Sequence, residues 1–149
     1  MKWQHELQKR RREWKWQDTA WERSIAGRGE WKVTIHEVIE YLSIQESVDY
    51  DIAKLMAPNH RKECILPGGC PDWEYDRERV ASADLECPII IMAYGGYNRY
   101  ILDGNHRLQK AINEGKESIK VKTLTLDNPE TPEAFIFVFH GETIYETTI

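Results

Sequence analysis

The segment from Tyr100 to Gly115 constrains this chain more than any other, because it reads as strand, glycine turn and helix in immediate succession. Tyr100, Ile101 and Leu102 suit a buried strand, and Asp103-Gly104 interrupts it before Leu108, Ala111 and Ile112 recur at helical spacing. Gly115 supplies the stop that a glycine just past the last turn usually gives. The first amides of such a helix have no intrahelical acceptor, so they and the helix dipole favour an anion. Gly104 and Asn105 open the turn, while His106 and Arg107 bring an imidazole and a guanidinium to the same anion. Asp103 would be repelled by bound phosphate unless it holds a metal, a hydroxyl group or an arginine. It therefore reads as a Mg²⁺ ligand, a base or an orienting residue. The non-functional arrangement of the same string has Asp103 or Asn105 capping the helix and Arg107 paired with a surface carboxylate.

Pro88-Ile-Ile-Ile-Met92, the Gly95-Gly96 turn, Arg99 to Leu108, the helix to Gly115 and Ile119-Lys-Val-Lys-Thr-Leu124 together resemble the core of the ParB/sulfiredoxin-like superfamily. The resemblance spans Glu86 to Leu126, about a quarter of the 149 residues. It implies a small mixed sheet with flanking helices and a nucleotide-phosphate loop at Asp103-Gly104-Asn105-His106-Arg107. Branches of the superfamily differ in chemistry: ParB partition proteins bind and hydrolyse CTP, sulfiredoxins use ATP to repair an overoxidised cysteine, and ParB-like serine kinases transfer phosphate. ParB proper has Gly-Glu-Arg-Arg where this chain has Gly104-Asn105-His106-Arg107, and no DNA-reading helix-turn-helix is evident. Sulfiredoxin places a cysteine where Asn105 stands, so its cysteine repair is not carried over; Pro67-Gly68-Gly69-Cys70 imitates only part of that motif. The Asp-Gly-Asn-His-Arg form is closest to the kinase-like and the phage or plasmid branches.

Charge is distributed unevenly along the sequence. Up to Lys32 there are nine Lys/Arg against five Asp/Glu, so with a total of −5 the remainder carries about −9. An acidic main body disfavours an indiscriminate nucleic-acid coat, which leaves nucleic acid as a less favoured partner. The basic segment holds five of the six tryptophans, and Trp3, Leu7, Trp14, Trp21 and Ile25 follow a helical stripe that Gly27 and Gly29 would end. Such a helix either packs on the chain's own core, self-associates, or presents Trp3, Trp14, Trp21 and Arg10, Arg11 and Arg12 to a partner.

Val33 to Ile44 reads as a strand running into a helix, and a second helix is expected over Tyr50 to Met56, before Pro58. Asn59 to Glu86 reads as a long connection of the kind that forms lids and binding loops. Within it Arg77 and Arg79 either reach a phosphate or pair with Asp76 and Glu78, the second being the ordinary arrangement. His60, Cys64, Cys70 and Cys87 offer zinc-ligand chemistry at spacings that fit no compact knuckle, so zinc is not expected and the three cysteines read as reduced thiols. Tyr94, Tyr97 and Tyr100 flank the Gly95-Gly96 hairpin. Ala134 to Phe139 resembles a buried strand with a hairpin return at His140-Gly141, the alternative being a helix started by Pro132-Glu133. His140 is an acid or base only if folding sets it beside His106.

The expectation is an α+β, ParB/sulfiredoxin-like domain over residues 33–149 with a helical extension over 1–32. It binds a nucleoside triphosphate with Mg²⁺, and either hydrolyses or transfers a phosphate or serves as a nucleotide-regulated binding module. Asp103 and His106 are the candidate catalytic pair. No apolar run reaches membrane-spanning length and the charged N-terminus lacks the apolar stretch of a secretory signal, so a cytoplasmic setting is expected.

Overall fold

In the computed structural model, residues 24–28, 31–60, 64–70 and 72–143 are described, with the backbone alone for 24–32 and 140–143. The tryptophan and arginine stripe at Trp3, Trp14, Trp21 and Arg10 to Arg12 lies outside these residues. Described residues fall into two compact units, one comprising the chain up to Ile44 together with that from Leu126 on, the other Gln45–Thr125. The architecture is α+β.

The first unit opens with an antiparallel hairpin of β1 (Ser24–Arg28) and β2 (Trp31–Thr34). This corrects the reading of Ile25 as helical and of Gly27 as the helix stop: Ala26 pairs with Val33, Gly27 with Lys32 and Arg28 with Trp31. Glycine is a poor helix residue, whereas Ile25, Trp31, Val33 and Thr34 favour a strand, and the backbone ladder satisfies the groups that a helix would have used. Thr34 then starts α1 (Ile35–Tyr41) through a capping box, its hydroxyl accepting from Glu37 N at 3.2 Å while Glu37 Oε1 accepts from Thr34 N at 3.3 Å. A short 3₁₀ turn, Leu42–Ile44, follows.

Ala134 to Phe139 lies in a helix, not the strand that its run of aromatics suggests. We label this helix, Glu133–Thr143, by its place last in the chain, α5. The exposure pattern explains why. Phe135, Phe137 and Phe139 would share one face of a strand, yet Phe135 and Phe139 are buried while Phe137 is 43% exposed. Helical spacing puts Phe135, Val138 and Phe139 inward, and Tyr41 meets the Phe135 ring edge-on at 5.4 Å.

In the second unit, β3 (Val48–Asp51) runs straight into α2 (Ile52–Met56), whose start Asp51 caps by accepting from Ala53 N at 2.8 Å. The helix thus begins after Tyr50, which pairs in the strand with Ile119. The expected connection between Asn59 and Glu86 contains a 3₁₀ turn, Pro67–Gly69, and α3 (Arg77–Ser82). Then come β4 (Ile89–Tyr94), β5 (Tyr97–Asp103), α4 (Asn105–Asn113) and β6 (Ser118–Thr125). The sheet order is β3-β6-β4-β5, mixed because β4 and β6 are parallel and the other two pairings antiparallel. A hairpin at Gly95-Gly96 joins β4 to β5, and α4 is the crossover that returns the chain to β6.

One face of this sheet carries Ile89, Ile91, Ile119 and Val121, covered by Ile52 and Leu55 of α2 and by Leu108 and Ala111 of α4. Ile90 and Met92, on the opposite face of β4, are also buried, which accounts for the unbroken apolar run of that strand. Packing of Leu108 and Ala111 on Ile89 and Ile91 is what seats α4 against the sheet.

Truncating Phe135 to Ala should cost about 3–5 kcal/mol in urea unfolding, whereas Phe137→Ala should stay within about 0.5 kcal/mol. Equal costs at the two positions would contradict the helical placement.

Candidate functional site

The backbone at the β5–α4 junction depends on Gly104. It adopts φ 105° and ψ 21°, a left-handed conformation that side chains with a Cβ avoid, and a Cβ placed there would lie 2.6 Å from Ile89 Cγ2. Glycine therefore permits both the turn and the close approach of α4 to β4. Leu108 N donates to Gly104 O at 3.0 Å, the first bond of the helix, so the amides of Asn105, His106 and Arg107 precede any intrahelical acceptor. Gly104 is the N-cap and no side chain caps the helix, which removes the capping role considered for Asp103 and Asn105.

Those two side chains have other partners. Asp103 Oδ2 accepts from Arg107 Nη1 at 3.2 Å, and the same nitrogen donates to Pro88 O at 3.0 Å. Arg107 therefore clips the end of β5 to the chain entering β4, and Asp103 is an orienting residue for its guanidinium. The pair is partly exposed, at 22% for Arg107 and 33% for Asp103, so it remains within reach of a ligand. Asn105 Oδ1 accepts from Gly68 N at 2.8 Å, tying the Pro67–Gly69 turn to the helix start. Gly68 also has a left-handed φ of 65°, and a Cβ there would collide with the Trp73 ring.

Trp73 in turn meets His106 edge-on, with ring centroids 5.1 Å apart, and Tyr75 at 5.8 Å. The connection thus folds as an aromatic strap against the helix start. Partial burial, then the charge of Arg79, lowers the His106 pKa below its ordinary 6.5, with Asp76 opposing. Both effects favour the neutral imidazole, which donates from one nitrogen and accepts at the other.

A cleft of about 290 Å³ opens beside this junction, lined by Asp103 to Arg107 and, opposite them, by Arg79, Ser82, Ala83, Asp84 and Cys87. Arg79 departs from the ordinary arrangement expected of it. Asp76 uses its carboxylate to accept from Glu78 N at 2.9 Å and Arg79 N at 3.3 Å, capping α3, and no ion pair engages the Arg79 guanidinium among the described residues. A second cavity of about 310 Å³ lies on the other side of Asn105, between Cys64 to Gly69 and Arg99 to Ile101. Of the hairpin tyrosines, Tyr100 lines this cavity, while the Tyr97 hydroxyl sits 2.6 Å from His60 Nε2.

The cysteines are dispersed: Cys87 lines the first cleft, Cys64 the second, and Cys70 is exposed. Among the described residues no three His, Cys, Asp or Glu side chains converge as a metal site. The side chain of His140 lies outside the described residues. No helix among the described residues is long and apolar enough to cross a membrane.

The sequence exposes Asp103 to Arg107 because they are contiguous. Asp84 and Trp73 carry no such signal, and Arg79 is offered by the sequence only as the less ordinary of two alternatives, since the fold of the connection is what brings them to the helix start. Comparison with protein-family models, curated proteins and solved structures yields no match for this chain.

Gly104→Ala should lower stability by about 2–4 kcal/mol, combining left-handed strain with overpacking against Ile89; a loss below about 0.5 kcal/mol in urea melts would contradict both. Because folding depresses the His106 pKa, the unfolded chain binds this proton first on acidification. The associated stability is present above 6.5 and lost as pH falls through the folded value. His106→Gln should flatten that part of the pH dependence when melts are compared between about pH 5 and 8.

Proposed function

We propose that the unit Gln45–Thr125 is a ParB/sulfiredoxin-like nucleotide-binding domain that holds the phosphates of a nucleoside triphosphate at the start of α4. One observation carries the reading: the leading amides of α4, with His106 and Arg107, open onto one cleft at a left-handed glycine. That arrangement supplies oriented donors, a fixed cation and a neutral imidazole to an anion. The mixed sheet and the placement of the loop between β5 and α4 support the family resemblance.

On this reading the domain hydrolyses the nucleotide or transfers its phosphate. Arg107 and the helix amides hold phosphate oxygens, His106 stabilises charge or moves a proton, and Asp103 keeps the guanidinium in register. Asp103 and Asp84 line the same cleft, and carboxylate oxygens are the donors that Mg²⁺ takes alongside substrate phosphates, so these two residues would hold this ion. When bound, Mg²⁺ would neutralise phosphate charge. A second reading, a nucleotide-regulated binding module without turnover, is favoured by one detail: the Asp103 carboxylate is already engaged by Arg107.

Calorimetric titration with the four common nucleoside triphosphates, with and without Mg²⁺, tests the site. Wild type should bind one of them selectively, and Arg107→Ala should weaken binding about 10- to 100-fold. No binding to any nucleotide would refute the proposal. Phosphate release that vanishes in Asp103→Asn while binding persists identifies the enzyme; binding with no release identifies the module.

A further inference from the structure

Helix α3 has six residues, too few to hold itself together, yet both of its ends are secured. Asp76 caps its start. At the other end Lys110, on α4, donates from Nζ to Ala81 O at 3.0 Å and Ala83 O at 2.7 Å. An ammonium on terminal carbonyls satisfies acceptors that the helix leaves open and complements the negative end of its dipole. The fastening joins α3 to the same helix whose start forms one wall of the cleft. Between its two anchors stands Arg79, exposed, lining the cleft opposite Arg107, and without an ion-pair partner among the described residues.

We propose that α3 is a clasp over the cleft, that Arg79 supplies the cation opposing Arg107 for the terminal phosphate of the ligand, and that Lys110 is the positioning residue holding the clasp. This rests on the nucleotide-site reading above. Two guanidinium groups on opposite walls suit a terminal phosphate, whose several charged oxygens can be met from both sides. Lys110 touches carbonyls only and acts through the placement of Arg79. His106 reports that placement independently of any ligand, because the nearby Arg79 charge contributes to its lowered pKa. The imidazole shares its surroundings with Arg79 and Asp76 of α3, Asp84 and Cys87 before β4, Asp103 at the end of β5, Arg107 on its own helix and the Trp73 indole.

The test uses inorganic pyrophosphate, which has terminal phosphates and no base, with calorimetry on the full chain and NMR titration of His106. Arg79→Ala and Lys110→Met should each weaken binding about 10-fold, and the double variant should be no weaker than Arg79→Ala alone. Lys110→Arg, which retains donors for the carbonyls, should preserve binding. The His106 midpoint should rise in Arg79→Ala and Lys110→Met and stay in place in Lys110→Arg. Additive losses, or a Lys110→Met variant with unchanged affinity and unchanged His106 midpoint, would overturn the clasp. No pyrophosphate binding by wild type would overturn the phosphate role of Arg79 together with the nucleotide site, while a His106 midpoint that still rises in Lys110→Met would uphold the positioning by Lys110.

Discussion

The close approach of Gly104 to Ile89 is the constraint on which the candidate site depends. The helix start can lie against β4 only because Gly104 has no Cβ, which would stand 2.6 Å from Ile89 Cγ2, and the chain can turn there only because φ 105° carries no steric cost for glycine. Once α4 is seated, Leu108 and Ala111 enter the core over Ile89 and Ile91. The same placement sets Asn105, His106 and Arg107, which carry the leading amides, in the lining of the cleft. Stability and anion chemistry therefore share one backbone position.

Arg107 and Asn105 convert this junction into a node. Arg107 joins Asp103 at the end of β5 to Pro88 before β4, and Asn105 receives the Gly68 amide from the connection. Trp73 then covers Gly68 and meets His106, so a segment poor in regular structure acquires a defined path. One polar group of that segment, the Gly68 amide, is satisfied by the site it borders. Disturbing the strap would accordingly alter the environment of His106 without touching the sheet.

Much of this was legible before folding where the signal was local. Tyr100 to Gly115 showed its strand, glycine and helix because each step is a short-range steric or periodic preference, although the strand is half-buried and Tyr100 exposed where a buried strand was expected. Reading failed where two periodicities were compatible with the same residues. Phe135, Phe137 and Phe139 alternate as in a strand, yet Ala134, Phe135, Val138 and Phe139 also make a helical face, and burial decided between them. Ile25 closed a helical stripe that Gly27 was to end, but pairing of β1 with β2 overrode it. Tertiary partners outweigh intrinsic preference in such segments.

For the site, the sequence by itself determined the loop from Asp103 to Arg107, since contiguous residues at a strand-to-helix turn are brought together by the backbone alone. The tertiary structure decided what each residue does there: Asp103 holds Arg107, Asn105 holds Gly68, and Gly104 caps the helix that either of them was a candidate to cap. It alone brought in Asp84, Trp73 and the Lys110 fastening, and it placed Arg79, which the sequence leaves between a phosphate and a surface carboxylate, in the lining of the cleft. Local sterics propagate over a few residues, whereas a cleft wall comes from packing between distant segments, and no short-range pattern encodes which of their side chains will meet.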